Sequence, residues 1–338
     1  MRVIFAIDEE LHVNSPVLID LHPTLLDFEQ EVLRGLAQTP KTFPPQFLFH
    51  DAKGSDLFNQ ICATEEYYVT RTEIDLLHTY AADIAQLIGQ DALLIEYGSG
   101  SVEKVYPLLN ALGSLAAYAP IDIAQDHLSS YVMKTAAAYP HVPIAGIRGD
   151  FTGHLELPDE LQAIENKVIL FTGSTIGNFD REQAIKLLQQ SAQLLHHQGH
   201  MLIGVDLKKD PNRLHCAYND SLQITAAFNY NILANINREL DANFDPDQFY
   251  HYAPYNPFLG RIEMHLISKC PQWVTVAGQE FFFRAGETLH TENSHKYSIE
   301  DFKALVMAAG LTLEQTWIDP GSLFSLHWVN LGPARDNA

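Results

Sequence analysis

The sequence predicts an α/β fold: a doubly wound, Rossmann-like domain joined to a second α+β domain that the N-terminal segment and an insertion would build together. Three observations lead there. Between about residues 92 and 207, short continuous apolar runs alternate with amphipathic stretches, the pattern of parallel strands covered on both faces by helices. After residue 260 the pattern changes to short runs punctuated by Ala-Gly, as in antiparallel strands. Finally, Gly98 and Gly100 follow the apolar run "LLIEY" directly, at the carboxyl end of a strand where open α/β sheets bind ligands.

Taken in order, "ALLIEYG" reads as a strand and "EKVYPLLNAL" as a helix. "AAYAPIDI" is the next strand, a helical stretch starts at Asp126, and "VPIAGIRGDF" and "KVILFTGSTIGN" contain two further strands. "DREQAIKLLQQSAQLLHH" is a helix stopped at Gly199, and "MLIGVDL" closes the series. The chain from Asn219 to Leu240 is helical in pattern, then turn-rich up to Gly260. "RIEMHLISK", "QWVTVAG" and "QEFFFRAG" read as an antiparallel meander. "YSIEDFKALVMAAG" is a helix with its stop at Gly310, and "LTLEQTWID" and "FSLHWVNL" are two last strands that complete the main sheet. The expected domains are 73–206 plus 297–338 for the cofactor, and 1–72 plus 207–296 for the substrate.

Composition limits the function classes. The 338 residues carry 42 acids against 21 bases, a formal charge of −21, so a nucleic-acid phosphate backbone would be repelled. Cys62, Cys216 and Cys270 are far apart with no CxxC pair, against a disulfide framework or a structural zinc site. None of the 16 histidines lies in an HExxH motif, and no metal is expected. The apolar patch Val3 to Ile7 runs at once into Asp8, Glu9 and Glu10, too short for a signal-peptide core, and no run is long enough to span a bilayer. The expectation is a cytoplasmic, monomeric protein acting on a small molecule, with neither nucleic acid nor membrane as partner.

The glycine turn narrows the cofactor. A dinucleotide fingerprint would need a third glycine where Glu103 stands, and the Gly-Lys-Ser/Thr ending of a phosphate loop is absent. An acid near a helix start also disfavours a pyrophosphate. S-adenosylmethionine, which is cationic and has no phosphate, fits better. Asp122 at the end of "APID" could accept from ribose hydroxyls, and Asp150-Phe151 could bind and flank an adenine. Glu96 has the alternative of a local structural hydrogen bond.

Seven segments then resemble a known family: "FHDAKGSDLFNQICATEEYYVTRTE", "IEYGSGSVEK", "FTGSTIGNF", "GVDLKKDPNRLHCAYND", "TAAFNYNILANINREL", "GRIEMHL" and "TENSHKYS". Together they are similar to the histidine Nα-methyltransferases of ergothioneine biosynthesis, in the same order over most of the chain. The resemblance implies transfer of methyl groups from S-adenosylmethionine to the α-amine of histidine, giving the trimethylated betaine. Cofactor contacts are implied at Gly98, Lys104, Asp122, Asp150 and Phe151. Asn178 and Tyr218, the catalytic pair, are implied around the α-amino and α-carboxylate groups. Tyr67, Glu292 and Ser294 would line the side-chain pocket with Met264 nearby. One position departs: where the family often has a tyrosine that helps to hold the imidazole, this chain has His50.

Each residue also has a plainer reading. Tyr67, Tyr68 and Tyr218 could be core aromatics, Asn178 a helix N-cap or turn residue, and Glu292 a solvated loop acid. Two alternatives for function stay open: another aromatic amino acid or a sulfur-substituted histidine as acceptor, or a non-catalytic binding protein that kept the fold.

Overall fold

A computed structural model describes residues 3–6, 16–23, 27–100 and 102–332. The chain starts with a hairpin, β1 (Val3–Ala6) and β2 (Val17–Asp20). Then come α1 (Phe28–Ala37), the short strand β3 (Lys41–Thr42), α2 (Ala52–Cys62) and the long helix α3 (Val69–Ile88). The alternating series follows: β4 (Ala92–Tyr97), α4 (Val102–Ala111), β5 (Leu115–Asp122), α5 (Gln125–Ala138), β6 (Ala145–Arg148), α6 (Asp159–Gln162), β7 (Lys167–Phe171), α7 (Arg181–Leu194) and β8 (His200–Asp206).

These strands form a nine-stranded sheet in the order β1-β2-β6-β5-β4-β7-β8-β16-β15, where β15 (Thr312–Ile318) and β16 (Phe324–Asn330) are the two C-terminal strands. From β2 to β8 the neighbours are parallel; β16 runs antiparallel to β8, and β15 to β16. The α/β expectation holds, including completion of the sheet by the C-terminal strands. Every residue of β4 is buried, and its side chains alternate between two cores: Leu94 packs on one face, Leu93 and Ile95 on the other. That two-sided burial is why the strand reads as an unbroken apolar run.

Sequence signals also set the helix ends. Asp180 and Gln183 form a capping box at the start of α7, as do Ser298 and Asp301 at the start of α10 (Ile299–Ala308). Gly310, at φ +79°, is the expected stop just beyond α10.

Between β8 and α10 lies the insertion: α8 (Pro211–Tyr218), α9 (Ile224–Glu239), β9 (Phe249–Tyr252), β10 (Tyr255–Asn256), β11 (Arg261–Ser268), β12 (Gln272–Val276), β13 (Gln279–Phe283) and β14 (Thr288–His295). The expected meander is only partly formed. Strands β12 and β13 pair with each other, but β11 pairs along its length with β14, a segment whose polar sequence does not look like a strand. β3 joins the far edge of β14 in parallel. The N-terminal region therefore divides: β3 adds to the insertion, whereas the β1–β2 hairpin, expected in the second domain, extends the main sheet through β6. The crossings between the two sheets lie side by side, with the Lys208 amide donating to the Tyr297 carbonyl (2.9 Å) and the Tyr297 amide to the Asp206 carbonyl (3.1 Å). Among the described residues no helix is long and apolar enough to cross a membrane.

Candidate active site

Three consecutive strands, β4, β5 and β6, end at the same edge of the main sheet and place the predicted cofactor residues together. Gly98 turns the chain at φ +75°, a left-handed conformation that glycine adopts without cost. A methyl group built on Gly98 would meet nothing nearer than the Phe151 ring at 4.0 Å, and one on Gly100 would meet nothing within 4 Å. Open space therefore lies over the turn. Asp122 braces it, its carboxylate accepting from the Ser99 amide (3.0 Å), the Ser99 hydroxyl (2.9 Å) and the Ala124 amide (2.9 Å). One oxygen of Asp150 accepts from the amide and hydroxyl of Thr152, at 2.8 and 2.7 Å. Phe151 stacks on Tyr97, with ring centroids 4.9 Å apart. An open glycine turn, two half-buried carboxylates and a half-buried aromatic ring suit a cationic, phosphate-free nucleoside cofactor.

Glu96 takes its structural alternative. It is 1% exposed and accepts hydrogen bonds from the hydroxyls of Tyr118 and Tyr131. Burial pushes its carboxyl up to about 7, against those two bonds. Lys104, expected at the cofactor, has its ammonium paired with α3. Its ammonium lies 3.1 Å from the fully buried carboxylate of Glu73 on α3; burial opposes its charge, but Glu73 raises its pKa above the usual lysine value. Glu73 also accepts from the Gly173 amide at 2.7 Å, which ties the loop after β7 to α3. Sequence reading did not single out Glu73.

That loop leads to the acceptor residues. A 3₁₀ turn, Thr175–Asn178, follows β7, and Gly177 packs so closely on β14 that an added methyl would come within 2.7 Å of the His295 carbonyl. Asn178 is thereby held beside β14. It is not the N-cap of α7, because Asp180 is, and among the described residues its amide has no hydrogen-bonded partner. On β14, Glu292 and Ser294 are two apart and share one face of the strand; Met264 of β11 is the cross-strand neighbour of Glu292. The Glu292 carboxylate likewise has no hydrogen bond or ion pair among the described residues. Burial lifts it to about 7, with the charge of Lys296 pulling the other way. Tyr67 and Tyr218 meet edge to face, ring centroids 5.9 Å apart, and the Tyr218 hydroxyl is 2.8 Å from that of Ser294.

Behind this group lies a buried ionic network that the sequence reading missed. Asp206, with no exposed surface, is 2.7 Å from Lys296 and 2.5 Å from Lys209, and accepts from the Tyr68 hydroxyl at 2.9 Å. Burial works against its ionised form, but the two lysines hold its pKa below the ordinary aspartate value. The signal was present: Asp206 ends an apolar strand as Asp122 does, and "DLKK" supplies a cation close behind. Tyr68 is a core aromatic whose hydroxyl this network satisfies.

His50 is placed elsewhere. Its ring stacks on Phe28 at 4.1 Å and its Nε2 lies 2.8 Å from Glu239, so its contacts tie the N-terminal segment to α9 and include none of the other acceptor residues. Among the described residues no group of three or more His, Cys, Asp or Glu could hold a metal ion.

Residues 28–331 match the family described as S-adenosylmethionine-dependent, histidine-specific methyltransferases. The histidine N-alpha-methyltransferase of Mycolicibacterium smegmatis is 41% identical over 302 residues, which is 88% of this chain and 92% of that protein. The enzyme of the same name from Mycobacterium tuberculosis is 39% identical over 306 residues, 89% of this chain and 94% of that one. The ergothioneine biosynthesis protein 1 of Neurospora crassa is 34% identical over 301 residues, covering 85% of this chain and 33% of that longer protein. With the strand-end cofactor turn and the acceptor cluster in place, the chain belongs to the S-adenosylmethionine-dependent, histidine-specific methyltransferases.

Proposed function

We propose that the protein methylates the α-amine of histidine three times, using S-adenosylmethionine, to give the trimethylated betaine of ergothioneine biosynthesis. The observation that carries the choice of histidine is Glu292: a carboxylate with no hydrogen-bonded partner among the described residues, raised to about 7 by its burial, next to Ser294 on one strand face. An imidazole N–H supplies what that acid lacks, and a hydrogen bond to a charged acceptor is among the stronger ones.

Bound at the glycine turn, S-adenosylmethionine supplies an electrophilic methyl group on a sulfonium. Gly98, Lys104, Asp122, Asp150 and Phe151 hold it there in this reading, with Glu73 fixing the position of the Lys104 ammonium. Alignment of the amine with that methyl group supplies much of the rate, and the reaction requires neither metal nor covalent nucleophile. The amine must be neutral to attack; in the first two transfers the Asn178 carbonyl accepts from a remaining N–H and so aims the lone pair, whereas the dimethylated amine of the third transfer has no N–H and is aligned by the bonds to its carboxylate and ring. As charge develops on nitrogen, the Tyr67 ring offers about 0.5–2 kcal/mol of cation–π stabilisation. Tyr218 donates to the α-carboxylate, and Met264 closes the side-chain pocket. In this reading residues 73–206 plus 297–338 carry the cofactor and residues 1–72 plus 207–296 the acceptor, apart from the hairpin at the sheet edge. Three free cysteines favour a reducing cytoplasm.

The test is a methyl-transfer assay over a panel of amino acids, with product mass read for each, in the wild type and in Glu292→Leu. Histidine should be trimethylated by the wild type. Glu292→Leu should cut kcat/KM for histidine about a hundredfold or more while tryptophan gains relative to it, because a site built to bond a substrate N–H discriminates strongly. Wild-type preference for tryptophan, or unchanged histidine kinetics in the variant, overturns the assignment.

A further inference from the structure

The hydroxyls of Tyr218 and Ser294 share a third neighbour that never reaches the pocket. Lys296, with no exposed side-chain surface, has its ammonium 2.9 Å from each hydroxyl oxygen and 2.7 Å from Asp206. A protonated lysine has three N–H donors and no acceptor, so these three bonds use all of them. Both hydroxyl oxygens therefore accept from Lys296, and both must place their own hydrogens elsewhere. Because the two oxygens are 2.8 Å apart, one hydrogen goes into the bond between them. One is left over for a ligand.

We propose that Lys296 is a positioning residue that orders these two hydroxyls, so that the pair presents one donor to the acceptor's carboxylate, from Tyr218, and one lone pair to its ring, from Ser294. The inference rests on the reading that Tyr218 meets the carboxylate. When Tyr218 gives its hydrogen to the ligand, Ser294 must give its own to Tyr218, and is then an acceptor only. Ser294 and Glu292, two apart on the same strand face, then both accept, so the ring they select carries N–H on both nitrogens. Lys296 keeps its charge despite burial because Asp206 offsets the desolvation, and Asp206 has Lys209 and Tyr68 as further partners. The network thus has a cation at its centre that polarises the hydroxyls without touching the ligand.

Calorimetry in the presence of S-adenosylhomocysteine, with histidine and with its decarboxylated analogue histamine, reads this directly. The ratio of the two affinities measures carboxylate recognition alone, which a general loosening of the pocket would not change. Lys296→Met should lower the ratio about tenfold or more, the scale of a hydrogen bond to a charged group, with Tyr218→Phe lowering it similarly. Ser294→Ala should weaken both ligands but keep the ratio, since Tyr218 still accepts from Lys296 and still donates. Should Lys296→Met not fold, the triple variant Lys296→Met with Asp206→Asn and Lys209→Met removes all three buried charges of the network and carries the same expectation. A folded Lys296 variant that keeps the wild-type ratio while Tyr218→Phe loses it overturns the Lys296 proposal alone. An unchanged ratio in Tyr218→Phe overturns the reading of Tyr218 beneath it. A fall in Ser294→Ala as large as that in Tyr218→Phe reverses the assigned order of the hydroxyls.

Discussion

The two halves of the site are built in opposite ways. The cofactor half is sequence-local: three turns at the ends of β4, β5 and β6, braced by short bonds such as Ser99 to Asp122 and Thr152 to Asp150, with carboxylates that water still reaches. The acceptor half draws on six separated stretches, around residues 67, 178, 206, 218, 264 and 292–296, and is held from behind by fully buried charges. One half stands on backbone geometry and the other on long-range electrostatics, so they should fail differently when perturbed.

The largest difference should come from removing one buried charge. Asp206→Leu leaves Lys296 and Lys209 without their shared partner, and breaking a buried pair in this way costs about 3–5 kcal/mol. The matching change in the cofactor half, Asp122→Asn, should cost under about 1 kcal/mol, as exposed or half-exposed substitutions do. Urea unfolding of both variants checks the contrast, and equal losses would break it. Gly98→Val comes next. A β-branched residue at φ +75° should cost about 1–2 kcal/mol in stability, and by filling the open space over the turn should weaken S-adenosylhomocysteine binding about tenfold or more. Calorimetry with the folded variant decides; unchanged affinity would remove the turn from the site.

The smallest effect sharpens the comparison by pH. Glu292 is raised from 4.5 to about 7 by burial, so the native protein holds that proton more tightly than the unfolded chain. The stabilisation this brings is complete below about pH 4.5, is lost as pH rises towards about 7, and is constant above it. Glu292→Gln has no such titration. Its stability relative to wild type should therefore rise across that window and then level off. A gap that stays constant from pH 4.5 to 7 would show the carboxylate to be solvated.

The same contrast explains what could be read from the sequence. Buried parallel strands are continuous apolar runs, so β4, β5 and β6 and the acids at or just beyond their ends, Glu96, Asp122 and Asp150, were legible from pattern alone, as was the stop at Gly310. Strand β14 was not: "TLHTENSH" carries Glu, Asn, Ser and His, all weak strand formers, and it pairs because β11 and β3 flank it, so that tertiary context overrides propensity. Lys104 came from the family resemblance, and the partner that fixes its position, Glu73, lies thirty-one positions earlier and shows no local signal. The placement of His50 against Phe28 and Glu239 is equally long-range. Resemblance to a family supplied Tyr67, Asn178, Tyr218 and Glu292, which no periodicity would have separated from core aromatics and loop residues.

The insertion leaves the main sheet after Asp206 and returns before Ser298, through two backbone segments bonded to each other at Lys208 and Tyr297. Its two ends are thus adjacent, as in a module spliced into an older scaffold. An insertion of this kind adds a surface without re-threading the main sheet, in which β8 and β16 stay neighbours across it. Here the splice point is also chemically occupied, since Asp206 stands on the outgoing segment, Lys296 on the returning one, and their ion pair joins them. Tyr218 and Ser294, proposed for the acceptor, are therefore tied through Lys296 to the seam itself, so a change at the seam should be felt in the pocket without touching the glycine turn.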